Sequence, residues 1–204
     1  MSVEGIYPVQ LTGVKVTLLK CGGKLILVDT GRRPEDADAI LDYARTSIKM
    51  PLEKYGEVCV LTHSHGDHIG GLKRLKEKCN IKIASHIDEA PAIESATGLK
   101  VDLKLKDRES LPNCGGIQFI HVPGHTVGNV CLYLKEKALL IVGDTVFGDE
   151  AGNLSAPPDR YCKDPEMAKR ELKRLGALDF DCIIVSHGKD VEKGAKEKLK
   201  RIQT

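Results

Sequence analysis

The residues in this sequence best suited to chemistry are histidines and aspartates that directly follow apolar runs. Thr62-His63-Ser64-His65-Gly66-Asp67-His68 comes straight after EVCVL, VPGHTVGN carries His125, LLIVGDT carries Asp144 and IIVSHG carries His187. Loops at strand ends let a rigid scaffold converge side chains on one point, and the glycines among them let backbones approach closely. In an extended chain alternate residues share a side, so His63, His65 and Asp67 project together, while the turn into the next helix swings His68 to a neighbouring position. Imidazole and carboxylate donors suit zinc, and also iron or manganese, whereas calcium and magnesium prefer oxygen alone. One such loop can serve two metal ions.

Composition narrows the chemistry further. There is no G-x-S-x-G elbow, and the seven cysteines are scattered without a C-x-x-C pair. Cys59, Cys131 and Cys182 lie in apolar runs and read as core, and all seven are expected as reduced thiols. The net charge of +2 with 29% charged residues advertises neither nucleic acid nor membrane as partner, and the expected partner is a small-molecule substrate. The basic run Lys73, Arg74, Lys76, Lys78 alternates with Leu72 and Leu75 and reads as a solvated helix face. The opening MSVEGIYPVQ has no basic or apolar targeting pattern, so the cytoplasm is the expected location. The sequence does not address the oligomeric state.

The elements that must position these residues alternate. KVTLLK and KLILVD around Cys21-Gly22-Gly23 predict a hairpin. Pro34, with Ala37, Ile40, Leu41 and Ala44, predicts a helix, EVCVL and IKIAS predict buried strands, and residues 88–96 predict another helix. VDLKLK, IQFIHV, NVCLYL and ALLIV, over 101–142, predict an antiparallel meander. Asp164-Pro165-Glu166 starts a helix, CIIVS is a strand, and 190–202 is a charged helix with Val191, Leu199 and Ile202 inward. The expectation is a single α/β domain over 1–204, with two mixed β-sheets packed face to face and helices outside.

The motif H-x-H-x-D-H-x-G-G is complete from His63 to Gly71, and it is followed in order by PGH at His125, GDT at Asp144 and SHG at His187. In this the sequence resembles the metallo-β-lactamase superfamily, from about residue 15 to 190. The resemblance implies an αββα sandwich. It implies that His63, His65 and His125 hold one metal, Asp67, His68 and His187 a second, and that Asp144 bridges them. Asp29, in VDTG, resembles the aspartate that props the ligand loop without binding metal. Two metals, zinc by default, would make a bridging hydroxide available at neutral pH for attack on an ester, thioester, lactam, lactone or phosphoester. Asp67 would orient it and pass its proton to the leaving group.

THSHGDHIGG, PGHTVGN and GDTVF look most like the glyoxalase II branch of thioester hydrolases. Two departures stand out: GDEAGNL replaces the Gly-Cys-Gly-Arg stretch of that branch, and the chain ends soon after His187, before a glutathione-binding helical domain could be accommodated. Lactonases of the fold resemble this pattern but carry tyrosine where Phe147 stands. The alternative activity is that of a mononuclear iron sulfur dioxygenase of the same fold, and a third reading is a catalytically silent metal binder. Residues 148–163, with little secondary-structure signal, read as a substrate-facing lid in which Arg160 and Tyr161 make the contacts.

Overall fold

The apolar runs become strands of two kinds, and the kind depends on how many faces each run must bury. The computed structural model describes residues 3–202. These divide into two compact units, residues 3–104 and 105–202, and each has its own sheet.

In the first unit β1 (Ile6–Gln10), β2 (Lys15–Cys21) and β3 (Lys24–Val28) run antiparallel. Gly22 and Gly23 have φ of 53° and 85°, the left-handed pair that a tight hairpin with matching twist requires. β4 (Gly56–Val60) and β5 (Lys82–His86) continue the sheet parallel to β3. Leu25–Val28 and Val58–Val60 are buried throughout, because a parallel strand covered on both faces needs a continuous apolar run rather than alternation.

Helix α1 (Pro34–Thr46) begins at a proline, and Asp36 Oδ2 accepts from the backbone of Arg32 and Arg33 at 2.7 and 3.0 Å. Short helices α2 (Leu52–Tyr55), α3 (Gly66–Ile69), α4 (Leu72–Lys78) and α5 (Ala90–Thr97) follow. Ala37, Ile40, Leu41 and Ala44 of α1 share a core with Leu72 and Leu75 of α4. The basic run is the outer face of α4, where Arg74 and Lys78 pair with Asp38 at 3.4 and 2.8 Å. Strand β6 (Leu103–Leu105) is the edge of this sheet. That corrects the expectation that VDLKLK joins the meander: Asp102 exchanges hydrogen bonds with Ile83 through its backbone N–H (2.9 Å) and its Oδ2 (2.8 Å), which registers the segment beside β5.

In the second unit β7 (Ser110–Leu111), β8 (Ile117–His121), β9 (Val130–Leu134) and β10 (Leu139–Ile141) form the antiparallel meander. The stretch expected to lack structure contains a hairpin of β11 (Phe147–Gly148) and β12 (Leu154–Ser155) and a 3-10 turn at Asp159–Tyr161. Asp164 Oδ1 caps α6 (Pro165–Glu171) by accepting from Met167 N at 2.9 Å. Strand β13 (Cys182–Ile184) lies parallel to β10. The last helix, α7 (Ala195–Lys200), is shorter than the predicted 190–202, because Val191 is taken by a β-bridge to Ile183. Val191 and Leu199 are nevertheless buried in the core, with Ile202 packed against it.

Cys59, Cys131 and Cys182 are buried free thiols, as expected. Cys21 and Cys114 are each disulfide-bonded, which corrects the expectation of seven reduced thiols. Cys21 closes β2, and Cys114 lies within a 3-10 turn, Asn113–Gly115, with φ of 54°. Among the described residues no helix is long and apolar enough to cross a membrane.

Candidate metal centre

The first unit assembles its donors at the C-terminal edge of three neighbouring parallel strands, the edge where such sheets present their binding loops. Asp29 follows β3, Thr62 to His68 follow β4, and Glu89 lies just after β5. Asp29 is buried, with a left-handed backbone (φ 63°). Its Oδ1 accepts from Thr62 N and its Oδ2 from Thr62 Oγ1, each at 2.8 Å. The same Oδ2 lies 2.8 Å from Nδ1 of His68. A carboxylate on Nδ1 fixes the proton there and leaves Nε2 as the donor for a metal.

Glu89, also buried, accepts from Ser64 N at 2.8 Å and so holds the His63-Ser64-His65 run extended. The ring of His63 lies 4.7 Å from that of His65 and 4.0 Å from that of His68, centroid to centroid. His63 and His68 are fully buried. Asp67 stays partly exposed, with Arg32 Nη2 at 3.6 Å.

The two glycines that end the motif have a packing reason. A Cβ on Gly70 would fall 1.9 Å from Arg32 O, and one on Gly71 2.3 Å from Thr30 O. The loop after Asp29 therefore lies against the start of α4, and Thr30 N and Oγ1 both donate to His68 O, at 2.7 and 2.9 Å.

The second unit supplies three donors. His125 sits in the turn between β8 and β9, braced by Asn129, whose Nδ2 donates to Val122 O at 3.0 Å and to Thr145 Oγ1 at 2.7 Å. Asp144 follows β10 and His187 follows β13; these strands are parallel neighbours, so both residues leave the sheet at the same edge. Asp144 Oδ2 is 3.5 Å from His125 Nε2, and Oδ1 is 3.3 Å from His187 Nε2. Both distances exceed the roughly 2.7–3.2 Å of a good N–H···O bond. They match the separation, about 3.4 Å, of two ligand atoms each about 2.1 Å from one tetrahedral ion. Phe147 stacks on the His187 ring at 4.9 Å and 15°.

Neutral imidazoles and carboxylates, most of them buried, make a donor set that fits zinc, iron or manganese. The metallo-beta-lactamase superfamily model matches residues 10–187. The chain belongs to this superfamily. As a metallo-beta-lactamase superfamily protein it is 26% identical over 205 residues to a probable metallo-hydrolase, YflN, of Bacillus subtilis (80% of this chain, 75% of that one). It is 34% identical over 120 residues to a hydroxyacylglutathione hydrolase of Ectopseudomonas mendocina (58% of this chain, 42% of that one). The chain thus spans less than half the length of that hydrolase. The structure of TTHA1623 in a di-iron-bound form matches with a TM-score of 0.75 and 27% identity, over 96% of this chain and 98% of that one. The architecture is the metallo-β-lactamase fold, two mixed sheets with flanking helices.

Within this superfamily protein, five of the seven residues expected as ligands stand in loops at strand ends, and Asp67 and His68 lie in the short helix α3 that follows β4. Arg160 and Tyr161 lie on an exposed 3-10 turn, with the guanidinium 4.7 Å from the tyrosine ring centroid. Their neighbour Cys162 approaches a ligand side chain, with Sγ 3.8 Å from Nδ1 of His125. The sequence reading missed Cys162, Glu89, Arg32 and Thr62. Thr62 adjoins the motif and could have been found there, whereas Glu89 and Cys162 lie 25 and 37 positions from their partners and give no local signal.

Proposed function

We propose that the chain is a hydrolase that holds two metal ions, zinc with iron or manganese as substitutes, and cleaves small thioester or ester-type substrates. In this reading His63, His65 and His125 take one ion, Asp67, His68 and His187 the other, and Asp144 bridges; each of these residues offers an atom that could ligate a metal. The observation that carries the proposal is the division of the Asp144 carboxylate, one oxygen toward His125 and the other toward His187. A single ion would not need both.

Bound metal would supply a hydroxide nucleophile at neutral pH and polarise the electrophilic oxygen. The chain's own residues do the rest. Asp29 holds the His68 ring through Nδ1, and Glu89 holds the loop that carries His63 and His65. Asp67 would orient the nucleophile and hand its proton to the leaving group. A carboxylate is a modest general acid, so thiolate leaving groups are favoured. The hydroxyacylglutathione hydrolases among the relatives support a thioester, and we extend only that class of substrate to this chain. A cytoplasmic location belongs to the same proposal, with the disulfide-bonded Cys21 and Cys114 weighing against it.

The test is turnover by metal-reconstituted protein of a panel of thioesters, esters, lactones, β-lactams and phosphodiesters, with oxygen uptake followed in parallel. Metal-dependent thioester hydrolysis without oxygen uptake is expected. Oxygen consumption with a persulfide substrate and no hydrolysis would replace the reading with a dioxygenase, and silence in both assays would leave a metal binder.

A further inference from the structure

We propose that Cys162 is a positioning residue for His125: its sulfur takes the Nδ1–H of the imidazole and so presents Nε2 to metal. The inference rests on the metal centre proposed above and deepens it.

Two contacts fix the direction of the thiol. Sγ lies 3.6 Å from Pro158 O, toward which the S–H donates, and 3.8 Å from His125 Nδ1. With its proton turned to the carbonyl, the sulfur offers a lone pair to the ring, and sulfur is a weak but real acceptor. The other ring nitrogen, Nε2, faces Asp144 Oδ2 at 3.5 Å. One nitrogen thus faces the thiol and the other the carboxylate, and the tautomer with hydrogen on Nδ1 satisfies both.

The thiol sits in a larger grip on the same loop. Lys163 N donates to His125 O at 3.0 Å, and Asp164 N to Gly124 O at 2.9 Å. Gly124, with φ of 124°, lies so close to α6 that a Cβ there would be 2.2 Å from Ala168 N. Asp164 in turn caps α6. The segment from Cys162 to Ala168 therefore fixes the backbone of residues 124–125, and Cys162 adds a contact with the imidazole. Partners of this kind on the far nitrogen of a ligating histidine are worth about 10–100-fold in metal affinity.

The test compares wild type with Cys162→Val and Cys162→Ser. Zinc affinity is read by competition with a chromophoric chelator, the ligand field by the visible spectrum of the cobalt-loaded protein, and folding by the Tm of metal-free protein. Cys162→Val should bind at least one zinc about tenfold more weakly and shift the cobalt bands, whereas Cys162→Ser should stay within about threefold of wild type. If valine lowers the metal-free Tm, Cys162→Ala, which removes sulfur without adding bulk, takes its place. Unchanged affinity and spectrum in the apolar variants would overturn the proposal, as would a serine variant as weak as valine, which would mean that packing alone is at work. A wild-type protein that binds no metal would sink the reading of the centre itself, a result distinct from either.

Discussion

Asp29 Oδ2 lies 2.8 Å from His68 Nδ1, and both side chains are buried. The same carboxylate accepts from the backbone and hydroxyl of Thr62, so one residue after β3 ties down both ends of the ligand loop after β4. Asp29→Ala would strip the acceptor from buried donors at Thr62 and His68. It should cost at least about 2 kcal/mol in denaturant unfolding and weaken metal binding by about 10–100-fold. Asp29→Asn, which keeps the acceptor for Thr62 but can offer its amide to Nδ1, should keep more stability than metal affinity. Equal losses in both quantities would reduce Asp29 to a fold residue.

Gly70→Ala tests the contact that seats the motif. Its Cβ would sit 1.9 Å from the backbone oxygen of Arg32, an atom that cannot turn away as a side-chain tip could. Thermal melts should show a loss of about 1–3 kcal/mol or more. Gly66→Ala is the control, because nothing lies within 4 Å of its Cβ position. A Gly70→Ala protein as stable as the control would mean that the loop at 30–32 is not held against α4.

Much of this was legible in the sequence, for reasons that differ by residue. His63 to Gly71 could be read because the spacing of its donors and glycines is dictated by one short loop and one helix start, both local. The hairpin at Gly22-Gly23 and α1 were readable for the same reason. β6 and the Val191 bridge were not, since their partners, Ile83 and Ile183, are chosen by sheet pairing rather than by the segment's own pattern. Glu89 and Cys162 were hidden for a further reason: a side chain that supports a ligand from another element leaves no periodicity of its own.

Alkaline pH should destabilise the protein through its buried thiols. Burial holds Cys79 at about 11 and Cys131 at about 12, against an ordinary value of 9.0. Above pH 9 the unfolded chain therefore binds fewer protons than the native one, and stability falls as pH rises toward the native values. Between pH 8 and 10.5 the Tm of Cys131→Ala, though lower to begin with, should decline less steeply than that of wild type. Parallel slopes would assign the alkaline loss to other groups.

Arg32 and Arg160 compete as the anchor for an anionic substrate group. Arg32 stands 3.6 Å from Asp67, beside the residue proposed to move the proton, whereas the exposed Arg160 stacks on its own neighbour. Arg32→Ala should lower kcat/KM for anionic thioesters by about tenfold relative to neutral ones. Arg160→Ala should lower it by about fivefold or less, as fits an exposed charged contact. The reverse order would support the segment 148–163 as a substrate-facing lid with Arg160 as its anchor.

The most direct test of the central claim is the metal content of wild type and Asp144→Ala, measured by elemental analysis after reconstitution with zinc and removal of free metal. A carboxylate whose two oxygens face His125 and His187 at 3.5 and 3.3 Å is suited to hold two ions. Wild type should therefore approach two zinc per chain and Asp144→Ala one or fewer, with hydrolysis reduced by several orders of magnitude. A wild type that saturates at a single metal under zinc or iron, or an Asp144→Ala variant with full content and near-normal turnover, would contradict the dinuclear centre.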